Sequence, residues 1–145
     1  MKRVVREMHA ARAVRKFTRI AAAPAESADD LRDLADLARR LRDFARERDW
    51  EKFHTPKNLA MALAVETAEL MEHFQWLGSR ASAKLDEKTL AQVRQEIGDV
   101  LIYLVRLADR LSIDPLAAAA EKIRINQHKY PADRVRGKAK KYTEY

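Results

Sequence analysis

The sequence predicts an all-α fold, a bundle of four helices with a basic N-terminal extension before it and a basic C-terminal tail after it. Three observations carry this. Ala, Leu, Glu, Lys and Arg are abundant in a 145-residue chain that holds only 3 Gly and 4 Pro, a balance that favours helix and leaves few of the turn residues several strands would need. Apolar residues recur at three- and four-residue spacing through successive segments, the signature of helices that bury one face. Thr55-Pro56 and Asp114-Pro115 each read as a capping residue followed by the proline favoured at a first helical position. At this length and 47% hydrophobic content, one domain with a core of its own is the expectation.

Residues 1–27 are expected to form an Arg-rich extension and linker, broken by Pro24. The domain should span residues 28–132. Its first helix starts at the Ser27 cap, with Asp30 three residues on, and carries Leu31, Leu34, Leu37, Leu41 and Phe44 to about residue 48. The second helix runs from Pro56 to about residue 77, where Gly78 closes it ahead of a polar loop reaching Asp86. The third carries Leu90, Val93, Ile97, Val100, Leu101, Leu104, Leu107 and Leu111 on a face wide enough to be buried on more than one side. The fourth runs from Pro115 to about residue 128, and Pro131 ends it. Residues 133–145 form the basic tail.

Composition removes several classes of function. There is no cysteine, so neither a disulfide framework nor a thiolate metal site can form. No apolar run approaches the roughly 20 residues that span a bilayer, and a cytoplasmic protein is expected. The net charge of +7 invites a nucleic-acid reading. Its distribution argues against it, because residues 1–20 carry +6 and residues 133–145 carry +3, leaving −2 between them.

The acids are the anomaly. Glu66, Glu69 and Glu72 lie three apart beside the apolar face of the second helix, and no Lys or Arg occurs between Asn58 and Ser79. Like charges at this spacing destabilise a helix. The third helix repeats the pattern with Glu96 and Asp99 among Ile97, Val100 and Leu101. Brought face to face, the two pairs would make an oxygen cage suited to magnesium or manganese, ions that share their shells with substrate phosphates. The plain alternative is a set of solvated acids on exposed helix faces. A di-iron carboxylate bundle expects Glu-x-x-His on two helices, and here only Glu51 and His54, in the loop before Pro56, have that spacing. Gly98, inside the second acidic pair, costs up to about 1 kcal/mol relative to Ala in a helix, which a close helix crossing would explain.

These residues have a recognisable setting. Glu66 with Glu69, 26 intervening residues, then Glu96 with Asp99 resembles the MazG-like all-α nucleotide pyrophosphohydrolases. The segments RDWEKFHTPKNL (48–59), FQW (74–76), DVLIY (99–103), Ile125-Asn126, KYP (129–131) and KYTE (141–144) resemble the dCTP pyrophosphatase branch of that family. The resemblance covers roughly residues 30–144. It implies a four-helix MazG-like bundle that hydrolyses a deoxynucleoside triphosphate between its α and β phosphates, with dCTP or 5-modified dCTP favoured, as pool sanitation. It also implies a homotetramer, a dimer of helical dimers.

Carried over onto this sequence, Glu66, Glu69, Glu96 and Asp99 hold magnesium, with manganese a substitute, and one of the glutamates is the general base. Tyr103, four residues after Asp99, together with Lys122 and Asn126 on the fourth helix, is assigned to phosphate and sugar. Trp50, His54 and Trp76 are candidates for the cytosine pocket, in part from neighbouring chains, since a base gains about 1–3 kcal/mol by stacking on an aromatic face. Lys141 in the tail, with Lys57, Asn58 and Tyr142 as weaker candidates, would close over the polyanion. Two other functions stay open on the residues alone: a nucleic-acid-binding helical protein using its basic ends, and a non-catalytic helical interaction module.

Overall fold

The computed structural model describes residues 31–138. In that span the chain forms α1 (Leu34–Glu47), α2 (Pro56–Glu72), α3 (Ser79–Ser82), α4 (Glu87–Arg110), α5 (Pro115–Lys129) and α6 (Ala132–Val135), with no strand among the described residues. These helices belong to one compact unit, Leu34–Tyr145. Of the unit before it, only residues 31–33 are described, and they are not helical. None of the helices is long and apolar enough to cross a membrane.

The all-α expectation holds, and the four long helices are those the periodicity predicts. Their edges differ in three places. The first helix begins at Leu34 rather than near Ser27, which lies outside the described residues; Leu31 is half exposed, so no buried contact extends the helix back to it. The second ends at Glu72 and not near residue 77, because Phe74 donates its backbone N–H to the Met71 carbonyl at 2.9 Å and Leu77 to that of Phe74 at 2.9 Å. Those three-residue bonds tighten the chain into turns, although Phe74 and Leu77 prolong the helical spacing. The expected loop and tail also contain the single turns α3 and α6.

Local chemistry sets the main boundaries. The Thr55 side chain accepts from the Asn58 N–H at 3.3 Å, Asp86 from the Thr89 N–H at 2.8 Å, and Asp114 from the Leu116 and Ala117 N–H groups at 2.8 and 3.1 Å. Each cap satisfies donors a helix start leaves open. At the other ends, Asp49 and Ser112 adopt left-handed backbone, with φ of 53° and 56°. The residue after each then bonds back into the last turn, Trp50 N–H to the Ala45 carbonyl and Ile113 N–H to that of Ala108, both at 2.9 Å. These Schellman closures turn the chain sharply, and the first delivers Trp50 to the end of α1.

α4 is the spine. It packs along α2 and, over a shorter stretch, against α1, burying Leu37, Ala45, Leu59, Val93, Val105 and Ala108. It runs antiparallel to α2: Arg106 near its end meets His54 just before α2, whereas Glu96 and Asp99 meet Glu66 well along α2. α5 contributes little to this core, since every residue from 116 to 130 is exposed. The close crossing expected at Gly98 is absent, because a Cβ added there would meet nothing within 4 Å.

Candidate metal centre

Position 66 on α2 and positions 96 and 99 on α4 lie on facing sides of the antiparallel pair, so the packing that buries Leu59 and Val93 also brings three acids together. One carboxylate oxygen from each of Glu66, Glu96 and Asp99 lies within 4.8 Å of the others, and all three side chains are half-buried. None of the ion pairs among the described residues includes them. Burial, and then the charges of Glu69, Asp99 and Glu96, push the Glu66 carboxyl above its ordinary range. Crowded carboxylates without a base to balance them are relieved by a cation. Hard oxygen donors on two rigid helices fit a divalent ion. Glu69 is exposed and outside this three-residue group, one turn along the same face, and it acts on Glu66 through its charge.

A second polar cluster sits farther along the same stripe of α4. Arg106 lies seven residues beyond Asp99, two turns along and on nearly the same face, about 10 Å up the helix axis; Tyr103, half-buried, lies between them. Arg106 is only 3% exposed. Its Nη1 donates to Asp109 Oδ2 at 2.8 Å and its Nε to His54 Nδ1 at 3.3 Å, while Nη2 stands 3.9 Å from Glu51 Oε1. Asp109 also accepts from Arg42 of α1, so the cluster ties α1, α4 and the loop before α2 together. Burial lowers the His54 pKa, Arg106 and Arg110 lower it further, and Glu51 opposes them. This network is absent from the sequence-based assignments. The signal was an isolated arginine in the apolar run Val100 to Ala108, with an acid three residues later.

Trp50 and His54 are brought together, with ring centroids 6.4 Å apart, and Phe44 meets Trp50 edge-on at 5.9 Å. Trp50 is 45% exposed and stands beside the imidazole. Trp76 is not part of this cluster. It follows the far end of α2, a helix of 17 residues and so about 25 Å long, and is 87% exposed. One chain therefore cannot sandwich a base between Trp76 and Trp50. Lys122 and Asn126 share a face of α5 but stand in solvent, and Lys57 is exposed as well. Asn58 is engaged in the loop, donating its Nδ2 to the Phe53 carbonyl at 2.9 Å. Lys141 and Tyr142 lie outside the described residues.

Comparison with known proteins agrees with this arrangement. The sequence model of the MazG-like family matches residues 61–145. The chain is 45% identical over 104 residues to dCTP pyrophosphatase 1 of Homo sapiens, an alignment covering 70% of this chain and 61% of that protein. It is 44% identical over 104 residues to the Mus musculus protein of the same name, with 70% and 61% covered. The chain thus spans about 61% of the length of these curated relatives. A pyrophosphatase of Archaeoglobus fulgidus, known from its crystal structure, superposes with a TM-score of 0.65 at 40% identity, covering 73% of this chain and 99% of that one. With the family's sequence pattern over residues 61–145 and the facing acids of α2 and α4 in one place, the chain belongs to the MazG-like family.

Proposed function

We propose that this protein is a magnesium-dependent nucleoside triphosphate pyrophosphohydrolase that cleaves dCTP, or 5-modified dCTP, between the α and β phosphates and releases dCMP and pyrophosphate. The observation that carries the reading is the unbalanced carboxylate group of Glu66, Glu96 and Asp99, held by two packed helices. The names of the relatives, dCTP pyrophosphatase 1 and a pyrophosphatase, support the choice of substrate.

Glu66, Glu96 and Asp99, joined by Glu69, would hold the ion, which when bound neutralises phosphate charge and makes a bound water more acidic. The chain's own residues do the rest. One of the glutamates, Glu66, Glu69 or Glu96, would accept a proton from the attacking water. Tyr103, one turn from Asp99, would donate its hydroxyl to a phosphate oxygen. Trp50 offers its exposed face to the base, with His54 at its edge.

The remaining candidates reach the site from other copies. Leu90, Ile97, Leu101 and Leu104 form one exposed apolar stripe of α4, and Leu116, Ile123 and Ile125 are exposed on α5. Apolar surface of this extent marks an interface. A second copy of the chain docked on this face would make the dimer of dimers, and Trp76, Lys122 and Asn126 of one chain would then serve the acids of another; Lys141, outside the described residues, keeps its proposed role in the tail. The domain of residues 28–132, with its extension and tail, would act on the free nucleotide pool of the cytoplasm. Pyrophosphate release from a panel of deoxynucleoside triphosphates, with and without magnesium, tests the reading. It predicts release that needs the ion, is greatest with dCTP, and is lost in Glu66→Gln and Asp99→Asn; full activity in both variants would remove the assignment.

A further inference from the structure

The arginine-centred cluster at the far end of the stripe has a consequence for selectivity. An arginine guanidinium has donors only and stays charged in proteins. His54 Nδ1 receives a hydrogen bond from Arg106 Nε at 3.3 Å, so this nitrogen carries a lone pair and the ring proton sits on Nε2. The ring is half-buried, and the partly exposed Trp50 lies beside it. The charged groups that face it are Arg106 and Arg110 of α4 and Glu51 of its own loop. Asp109 and Arg42 hold Arg106 in place from behind. Burial and the two arginines lower the pKa of the imidazole, and Glu51 opposes them.

We infer that Arg106 is a positioning residue that locks His54 in the Nε2–H tautomer, so that the aromatic platform of Trp50 presents a fixed donor that reads the N3 acceptor of a cytosine ring. This rests on the proposed pyrimidine site. A histidine free to exchange tautomers offers Nε2 as donor or as acceptor, and therefore tolerates both cytosine, whose N3 accepts, and uracil or thymine, whose N3–H donates. The guanidinium removes that choice. Selectivity gained by leaving a polar group unpaired against the wrong partner is larger than any gained by shape alone.

The test uses the full chain and the monophosphates dCMP and dUMP, so that it does not depend on turnover. Long-range proton–nitrogen NMR of the imidazoles reads the tautomer directly. His54 is expected to show an acceptor-type Nδ1 and a protonated Nε2, and dCMP is expected to shift the Nε2–H resonance at concentrations at least about tenfold below those needed for dUMP. Arg106→Lys, which keeps the charge but not the fixed fork, should mix the tautomers and reduce the dCMP preference several-fold. His54→Gln should preserve the preference, because its amide oxygen can accept from Arg106 while its nitrogen donates outward. A proton on Nδ1 in the unaltered chain, a His54 resonance indifferent to both nucleotides, or an unchanged preference in Arg106→Lys overturns the proposal. Failure of the proposed enzymatic function is read separately, as absent pyrophosphate release with the tautomer and the dCMP response intact.

Discussion

The two ends of the α2–α4 stripe treat charge in opposite ways. At one end Glu66, Glu96 and Asp99 crowd together, and among the described residues no cationic side chain forms an ion pair with them. At the other, Arg106 is buried, but its charge is matched by Asp109, which Arg42 also holds, and its Nε is spent on His54. The second end is paired within one chain except for Arg106 Nη2, which has no hydrogen-bond partner among the described residues and stands 3.9 Å from Glu51 Oε1. The first carries a repulsion that a bound cation would relieve, as the proposed site for a cation and a polyanion requires.

The largest effect that can break this contrast is chemical. Asp99→Asn leaves the helix and the packing intact but removes charge from the acid end, and turnover of dCTP should fall by about 10²- to 10³-fold, the scale of removing one group that stabilises developing charge. The arginine end should respond in stability instead. Arg106→Met strands Asp109 with Arg42 alone and leaves His54 without its donor, and breaking a buried pair costs about 3–5 kcal/mol; urea unfolding should show a loss near the lower figure. Equal losses of stability in the two variants would mean that the ends are not different in kind.

Smaller effects sharpen the picture. Gly98→Ala meets open space within the chain and gains helix propensity of about 1 kcal/mol, so a dilute, dissociated chain should melt higher. A loss of oligomer in the same variant would show that a second copy approaches α4 at that point. Glu66→Gln should raise the melting temperature of the metal-free chain, by a few tenths of a kcal/mol for each like-charge neighbour removed, while ending any response to magnesium.

The pH dependence separates the two ends by sign. His54 is held below its ordinary value of 6.5, so in that window the unfolded chain binds more protons; its contribution is complete above 6.5 and is lost as pH falls through the lower folded value. Glu66 is held above its ordinary value of 4.5, so its contribution is greatest below 4.5 and is lost as pH rises through the raised folded value. Metal-free unfolding measured across pH, with His54→Gln and Glu66→Gln each removing one of the two trends, checks both signs.

Much of the fold was legible because its boundaries are made by local chemistry. Thr55-Pro56 and Asp114-Pro115 cap helices on their own account, and the apolar spacing of α4 marks it as a helix, although Val93, Val105 and Ala108 of that wide face are buried while Leu90, Ile97, Leu101 and Leu104 stand exposed. The end of α2 was not legible, since Phe74 and Leu77 keep a helical spacing that the backbone abandons for three-residue hydrogen bonds. The acids were legible because like charges at positions three apart are costly without a purpose. Arg106 was overlooked for the opposite reason: its cost is cancelled by Asp109, Arg42 and His54, partners that lie far away in sequence and are visible only once α1, α4 and the α2 loop are packed. Trp76 stands a helix length from Trp50 within one chain, so the sequence alone does not tell whether the two share a pocket across neighbouring chains.

The most direct measurement is a magnesium titration of the melting temperature, run on the unaltered chain and on Asp99→Asn and paired with pyrophosphate release from dCTP. The account predicts that magnesium raises the melting temperature of the unaltered chain over the same concentrations that switch on pyrophosphate release, and that Asp99→Asn loses both responses together. Magnesium-independent release, or an Asp99→Asn chain that keeps both responses, would contradict it.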